Sequence, residues 1–385
     1  MEHIEHALAR KRSSSVLGRK RSNSATSATP SDQRPREEKS APYRDPRYET
    51  LLSTKGSFMV KSSLDVATES KKLCRMLLEN KPAVPKRSLF RDDIFESTCQ
   101  KMHNRNEARV IQDVSRLVVP SAESLATFGS APLEDLTESV NEGWNNSIPL
   151  TGTLPQPDYS VGFRRETFTD DQLAKLSPFI GDFLTGDLSF FMATYYMYFP
   201  FMACEVKCGA AALDVADRQN AHSMTLAARG IVELFRLVKR EEEVNRQVLS
   251  FSISHDHRSV RIYGYYPVIN GKETKYYRHP IHKFDFTALD GREKWTTYRF
   301  TRNVYDTWMP EHLKKIRSAI DQLPTKLDFD SAEPSLKSMG TGSALWLADK
   351  DEDEQQREGG QMATPDTSFS KPAPAKRRRS PVKKS

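Results

Sequence analysis

Residues 199–208 read FPFMACEVKC, an apolar run that ends abruptly in charge at Glu205 and Lys207. A short run of this kind predicts a buried strand. Side chains alternate along a strand, so Glu205 and Lys207 share one face. Two charges on one face of an apolar strand are costly unless they are paired or bind a metal.

Upstream, PDYSVGF (157–163) predicts a strand after a proline-rich approach, with Asp158 at its head. If the two strands pair, two carboxylates and an ammonium converge within a few ångströms. Hard oxygens of this kind suit Mg²⁺, which takes only one or two carboxylates from a protein. As separate features, Asp158 caps a turn after proline, and Glu205 with Lys207 forms a structural ion pair. A third carboxylate, Glu107, lies three residues before Val110 on the apolar stripe of a helix expected over 96–119. On such a stripe it is either paired or functional.

Helices are also expected over 64–80, 133–143, 168–183 and 213–241, and a helical segment over 291–323. Strands are expected in QVLSFSISHD and SVRIYGYYPVI, joined at 255–258, and in KYYRHPIHKFDF (275–286). The order helix, strands, helix, strands, helix predicts one α/β or α+β domain over 64–325 with a central mixed sheet. Its helices occupy 64–143 and its core 144–325.

Pro157-Asp158, 46 intervening residues and Glu205-Val206-Lys207 resemble the signature of the PD-(D/E)xK nuclease superfamily. The resemblance implies a restriction-endonuclease-like αβββαβ core, here with extra C-terminal strands and a helix. It implies that Asp158 and Glu205 hold Mg²⁺ or Mn²⁺, with Val206 adding its backbone carbonyl, while Lys207 assists the attacking water. Glu107 becomes the acid of the preceding helix, and Gln219 the polar group of the following one. The 46-residue spacing is long for this superfamily and requires an inserted helix. A second resemblance covers about 100–323, through EVKC, RQNAHSMTLAARG and YRHPIHKFDF. These strings look like a family of fungal proteins with one domain of unknown function, placed with the nuclease-like folds.

The chain has 385 residues, is 37% hydrophobic and carries a net charge of +7. Most of that excess lies in the two ends, so bulk charge does not drive the body onto nucleic acid. Residues 1–55 and 335–385 are polar and lack apolar periodicity, so both are expected to be disordered tails. They carry Arg10-Lys11-Arg12, Arg19-Lys20-Arg21 and Lys376-Arg377-Arg378-Arg379, which suit a nuclear import receptor and predict a nuclear location. Ser22 and Ser380 beside them are candidate phosphorylation switches.

The longest uncharged run, 188–204, is at the lower edge of a membrane span, roughly 17–25 residues, and holds three tyrosines and Pro200. It reads as buried core, and no membrane association is expected. Four cysteines are too few for a disulfide framework, and Cys204 and Cys208 read as buried thiols on the face opposite Glu205. Tyr263, Tyr265, Tyr266, Tyr276 and Tyr277 interleave with arginines and lysines. That mixture either grips nucleic acid by stacking and phosphate contacts or lines an antiparallel sheet. His255-Asp256-His257 forms a polar hairpin tip or a metal or phosphate contact.

The chemistry expected is metal-dependent hydrolysis of phosphodiester bonds in nucleic acid, more readily DNA, in the nucleus. The alternatives are a non-catalytic nuclease-fold module that binds nucleic acid or protein, and a scaffold of unrelated function. The sequence fixes no oligomeric state.

Overall fold

The computed structural model describes residues 2–11, 36–208 and 212–324. Helix α1 (Glu2–Ala7) comes first, followed by α2 (Arg36–Arg44), α3 (Arg47–Thr54) and the short strand β1 (Ser57–Phe58). Helices α4 (Thr68–Glu79) and α5 (Asp92–Met102) precede α6 (Glu107–Val110), which runs through a π turn into α7 (Arg116–Val118). Then come α8 (Ala122–Thr127), β2 (Leu136–Ser139), β3 (Tyr159–Phe163), α9 (Asp170–Ile180) and β4 (Tyr198–Val206). The chain continues through α10 (Ala212–Leu237), β5 (Ser250–His255), β6 (Ser259–Asn270) and β7 (Glu273–Asp285) to α11 (Thr296–Asn303) and α12 (Met309–Asp321).

The strands form one seven-stranded mixed sheet in the order β1-β7-β6-β5-β4-β3-β2. Strands β2, β3 and β4 make an antiparallel meander. Helix α10 then carries the chain across to β5, which lies parallel to β4. A second antiparallel meander, β5-β6-β7, completes that side, and β1 joins β7 in parallel.

The sequence of β5, SFSISH, shows why the sheet sits between two layers. Its serines face α10: Ser250 donates to the Met224 carbonyl and Ser254 accepts from Asn220. These small side chains let the helix lie close to the strand. Phe251, on the other face, packs edge-on against Phe300 and Trp308 of the C-terminal helical segment. All six residues of β5 are buried. Burial on both faces is the usual state of a parallel pair under a crossover helix.

Several expectations need correction. Residues 133–143 form a short 3₁₀ turn, Ala131–Asp135, and then β2 rather than a helix. Leu133, Leu136 and Val140 mimic helical spacing, but pairing with β3 satisfies the backbone of 136–139 instead. The helix expected over 96–119 breaks between α5 and α6, where Asn104 takes a positive φ of 60° and Asn106 caps the N–H of Arg109. Residues 2–7 and 36–54, expected within a disordered tail, form three helices. Ala7, Tyr43, Tyr48 and Leu52 are buried against the body and offset the entropy that the polar neighbours alone do not.

The uncharged run 188–204 divides between loop and β4, and among the described residues no helix is long and apolar enough to cross a membrane. Arg10 pairs with Leu188 through two backbone hydrogen bonds of 2.8 Å, so one member of the first basic cluster has its backbone docked. The other basic clusters, with Ser22 and Ser380, lie outside the described residues, as do 335–385.

Candidate active site

Antiparallel pairing of β3 with β4 places Tyr159 opposite Cys204, and therefore Asp158 beside the end of β4. The long interval between the two motif halves holds α9 and does not prevent this pairing. Asp158 Oδ2 accepts the Val206 N–H at 2.8 Å, which fixes the carboxylate at the strand end. Glu205 is registered with Ser254, whose hydroxyl meets Asn220 of α10, so both point toward the α10 layer. Lys207, two residues on, is held by its own N–H on the His255 carbonyl at 3.0 Å. Its Nζ lies 3.3 Å from Glu205 Oε2 and 3.7 Å from Asp158 Oδ2, and donates to the Val206 carbonyl at 3.1 Å. The two acids and the amine thus meet at one point.

A second ammonium completes the cluster. Lys39 Nζ, from α2, donates to Asp158 Oδ1 at 2.7 Å and to the Gln156 carbonyl at 2.8 Å, and lies 4.0 Å from Glu205 Oε2. It lies between the two acids. The side chains of Lys39, Asp158 and Glu205 are 3%, 2% and 1% exposed, so water does little to screen them.

Burial pushes the Glu205 carboxyl up to about 7, with Asp158 adding to the rise and Lys39 and Lys207 opposing it. Burial opposes the Lys207 ammonium, but Glu205, Asp158 and Glu107 more than offset that cost and hold its pKa above the ordinary lysine range. Glu107, half-buried at the start of α6, is therefore brought within electrostatic reach of the site. Gln219 is buried in α10 and its Oε1 accepts no hydrogen bond, but none of the described contacts joins it to the two acids or Lys207. Its neighbour Asn220 reaches the Ile253 carbonyl and Ser254.

The donor set suits a hard cation. One position is bounded by a carboxylate oxygen each from Asp158 and Glu205 and by the Gln156 carbonyl, and an ammonium already lies there. Mg²⁺ needs no more protein carboxylates than this. Among the described residues no cluster of three or more His, Cys, Asp or Glu forms a metal cage. The Val206 carbonyl meets Lys207.

A family model for a domain of unknown function, DUF7924, matches residues 94–320, more than half of the chain. The chain belongs to the DUF7924 family. The DUF7924 region takes in Glu107, Asp158, Glu205, Lys207 and Gln219 but not Lys39, which reaches the site from outside it. No curated protein and no solved structure matches the chain.

Lys39 was hidden from sequence reading by its polar surroundings, REEKSAPYR. The available signal was Tyr43, Tyr48 and Leu52, three buried apolar residues within ten positions of a supposed tail. Of the tyrosines considered for base stacking, Tyr263, Tyr265, Tyr266 and Tyr276 are buried, with Arg278 lying over Tyr263 at 4.0 Å. The sheet-lining reading applies to these four. Asp256 caps the hairpin tip by accepting the N–H groups of Arg258 and Ser259. Burial depresses the His255 imidazole and keeps it neutral. Cys204 is packed in the apolar core on the face away from Glu205, and none of the four cysteines is in a disulfide.

An open cleft of about 560 Å³ lies beside the hairpin tip, lined by His103, His257, Arg258, Arg261 and Lys283 among others. His257 is two residues past His255, so the cleft opens at the same end of the β4–β5 pair as the candidate site. The carboxyl ends of parallel strands are where α/β sheets commonly bind ligands.

Proposed function

We propose that this protein is a divalent-metal-dependent phosphodiesterase of nuclease type, acting on nucleic acid in the nucleus. The observation that carries the reading is the ring of oxygens from Asp158, Glu205 and Gln156 around one cation position, with Lys207 beside it. The chain order supports it. A helix, a three-strand meander interrupted by α9, a crossover helix and a strand parallel to the third follow the order that an αβββαβ core would require.

In this reading Asp158 and Glu205 hold Mg²⁺ or Mn²⁺, and Val206 or Gln156 offers a carbonyl. The ion supplies Lewis-acid polarisation of the phosphate and eases deprotonation of water. Lys207 Nζ orients the attacking water and offsets charge building on the phosphate oxygens. Glu107 adds to the effect of Glu205 and Asp158 in favouring the charged form of Lys207. The cationic cleft beside the site takes the backbone on either side of the scissile phosphate. The basic tail clusters direct the protein to a nuclear import receptor.

A second reading has one observation in its favour. Lys39 neutralises the acids and seals them from solvent, as a structural ion cluster in a non-catalytic binding module would. Cleavage of plasmid, single-stranded and branched DNA with Mg²⁺ or Mn²⁺ separates the two. Asp158→Ala should lose both cleavage and Mn²⁺ binding, and Lys207→Ala should lose cleavage while keeping Mn²⁺. Cleavage that persists in Asp158→Ala, or Mn²⁺ binding without any cleavage, removes the enzyme reading.

A further inference from the structure

We propose that α2 is an intramolecular stopper: the Lys39 ammonium competes with a divalent cation for the oxygens between Asp158 and Glu205, and the site loads only when α2 lifts. This rests on the metal-site reading above and adds its regulation.

Three observations carry it. The first is position. Lys39 Nζ makes its closest contacts with Asp158 Oδ1 and the Gln156 carbonyl, at 2.7 and 2.8 Å, and faces Glu205 Oε2. An ammonium and a divalent ion cannot share those oxygens, because their repulsion in a buried site is barely screened.

The second is closure. With the acids 2% and 1% exposed, neither an ion nor a phosphate reaches them while α2 is seated. Lifting α2 withdraws the competing charge from this closed site.

The third is that α2 has few anchors besides the Lys39–Asp158 pair, the contact that a cation would replace. Among its described side chains only Lys39, Ser40 and Tyr43 are buried, so little apolar surface holds it. The rest of its grip centres on one residue, Tyr43. Arg218 Nε donates to the Tyr43 carbonyl at 2.6 Å, and the Tyr43 hydroxyl meets His222 Nδ1 at 2.9 Å. The next helix shares His222 Nδ1 through Tyr48, whose ring packs on Tyr43, but it holds further to Thr151 and through the buried Leu52; Asp45-Pro46 lies between the two as the hinge. Helix α2 also lies outside the DUF7924 region that supplies the acids.

The test is calorimetric titration of the full chain with Mn²⁺. Lys39→Met should bind Mn²⁺ at least tenfold more tightly than wild type, and adding Asp158→Ala should abolish that binding. Tyr43→Ala leaves every site oxygen in place and loosens α2; it should tighten binding in the same direction and decides the matter if Lys39→Met does not fold. Equal Mn²⁺ affinity in wild type and the folded α2 variants, dependent on Asp158 throughout, overturns the stopper and leaves the metal site standing. No Mn²⁺ binding by any folded variant overturns both.

Discussion

Lys39 and Asp158, 119 residues apart in the chain, form a 2.7 Å ion pair with both side chains almost wholly buried. Removing one partner of such a pair leaves an uncompensated interior charge, which costs about 3–5 kcal/mol. Asp158→Ala should therefore lower unfolding free energy by about that much in urea titration, because it strands Lys39 and weakens the seat of Lys207. Adding Lys39→Met should return part of the loss, with a coupling of about 0.5–3 kcal/mol. Strict additivity of the two single changes would deny the pair any role in holding α2.

Glu205 makes stability depend on pH in an unusual direction. Its carboxyl titrates near 7 in the folded chain against an ordinary value of 4.5. A raised acid favours the folded state only while protonated. Its contribution is complete below pH 4.5 and is lost as pH rises to about 7. A shift of that size corresponds to about 3 kcal/mol. Glu205→Gln should remove that part of the slope, so the variant gains on wild type between pH 5 and about 7.5. Melting temperatures of both proteins across that range check it, and parallel curves would refute it.

Helix α10 passes so close to the 188–197 loop that Gly230 has no room for a side chain. A Cβ there would collide with the Phe190 carbonyl oxygen, a backbone atom that no rotamer change relieves. Gly230→Ala gains helix propensity but forces the loop away, with a net loss of about 1–3 kcal/mol. Chemical denaturation measures it, and an unchanged or higher midpoint would show that the loop yields freely.

The cleft beside the candidate site makes its own prediction. Lys283 lines it, and Arg105 lines an adjoining hollow. If phosphates track through both, Lys283→Ala and Arg105→Ala should each weaken DNA binding evenly across sequences. Each should also reduce the salt slope of log K by about 1. Fluorescence anisotropy over a salt series reads both effects; unaltered slopes would place the nucleic acid elsewhere.

The site was partly legible because its core members are close to their own strand signals. Glu205 and Lys207 end an apolar run, and Asp158 follows a proline at the head of another. Glu107 was legible as a carboxylate on the stripe of Val110, Val114 and Val118, all three of which are buried. The break before it was not, because a positive φ at Asn104 is a tertiary choice. The 133–143 segment was misread for a similar reason: its apolar spacing fits a helix, and only the partner strand β3 makes it β2.

The amino-acid order alone determined the alternation of β5, the charged end of β4 and the long crossover helix, because periodicity and burial are local properties of a few neighbouring residues. Only the tertiary structure decided that Lys39 lies between the acids. A lysine in a polar stretch carries no local sign of burial; it is drawn inside by carboxylates that pairing of β3 with β4 assembles more than a hundred positions away. Long-range charge compensation of that kind has no period to read.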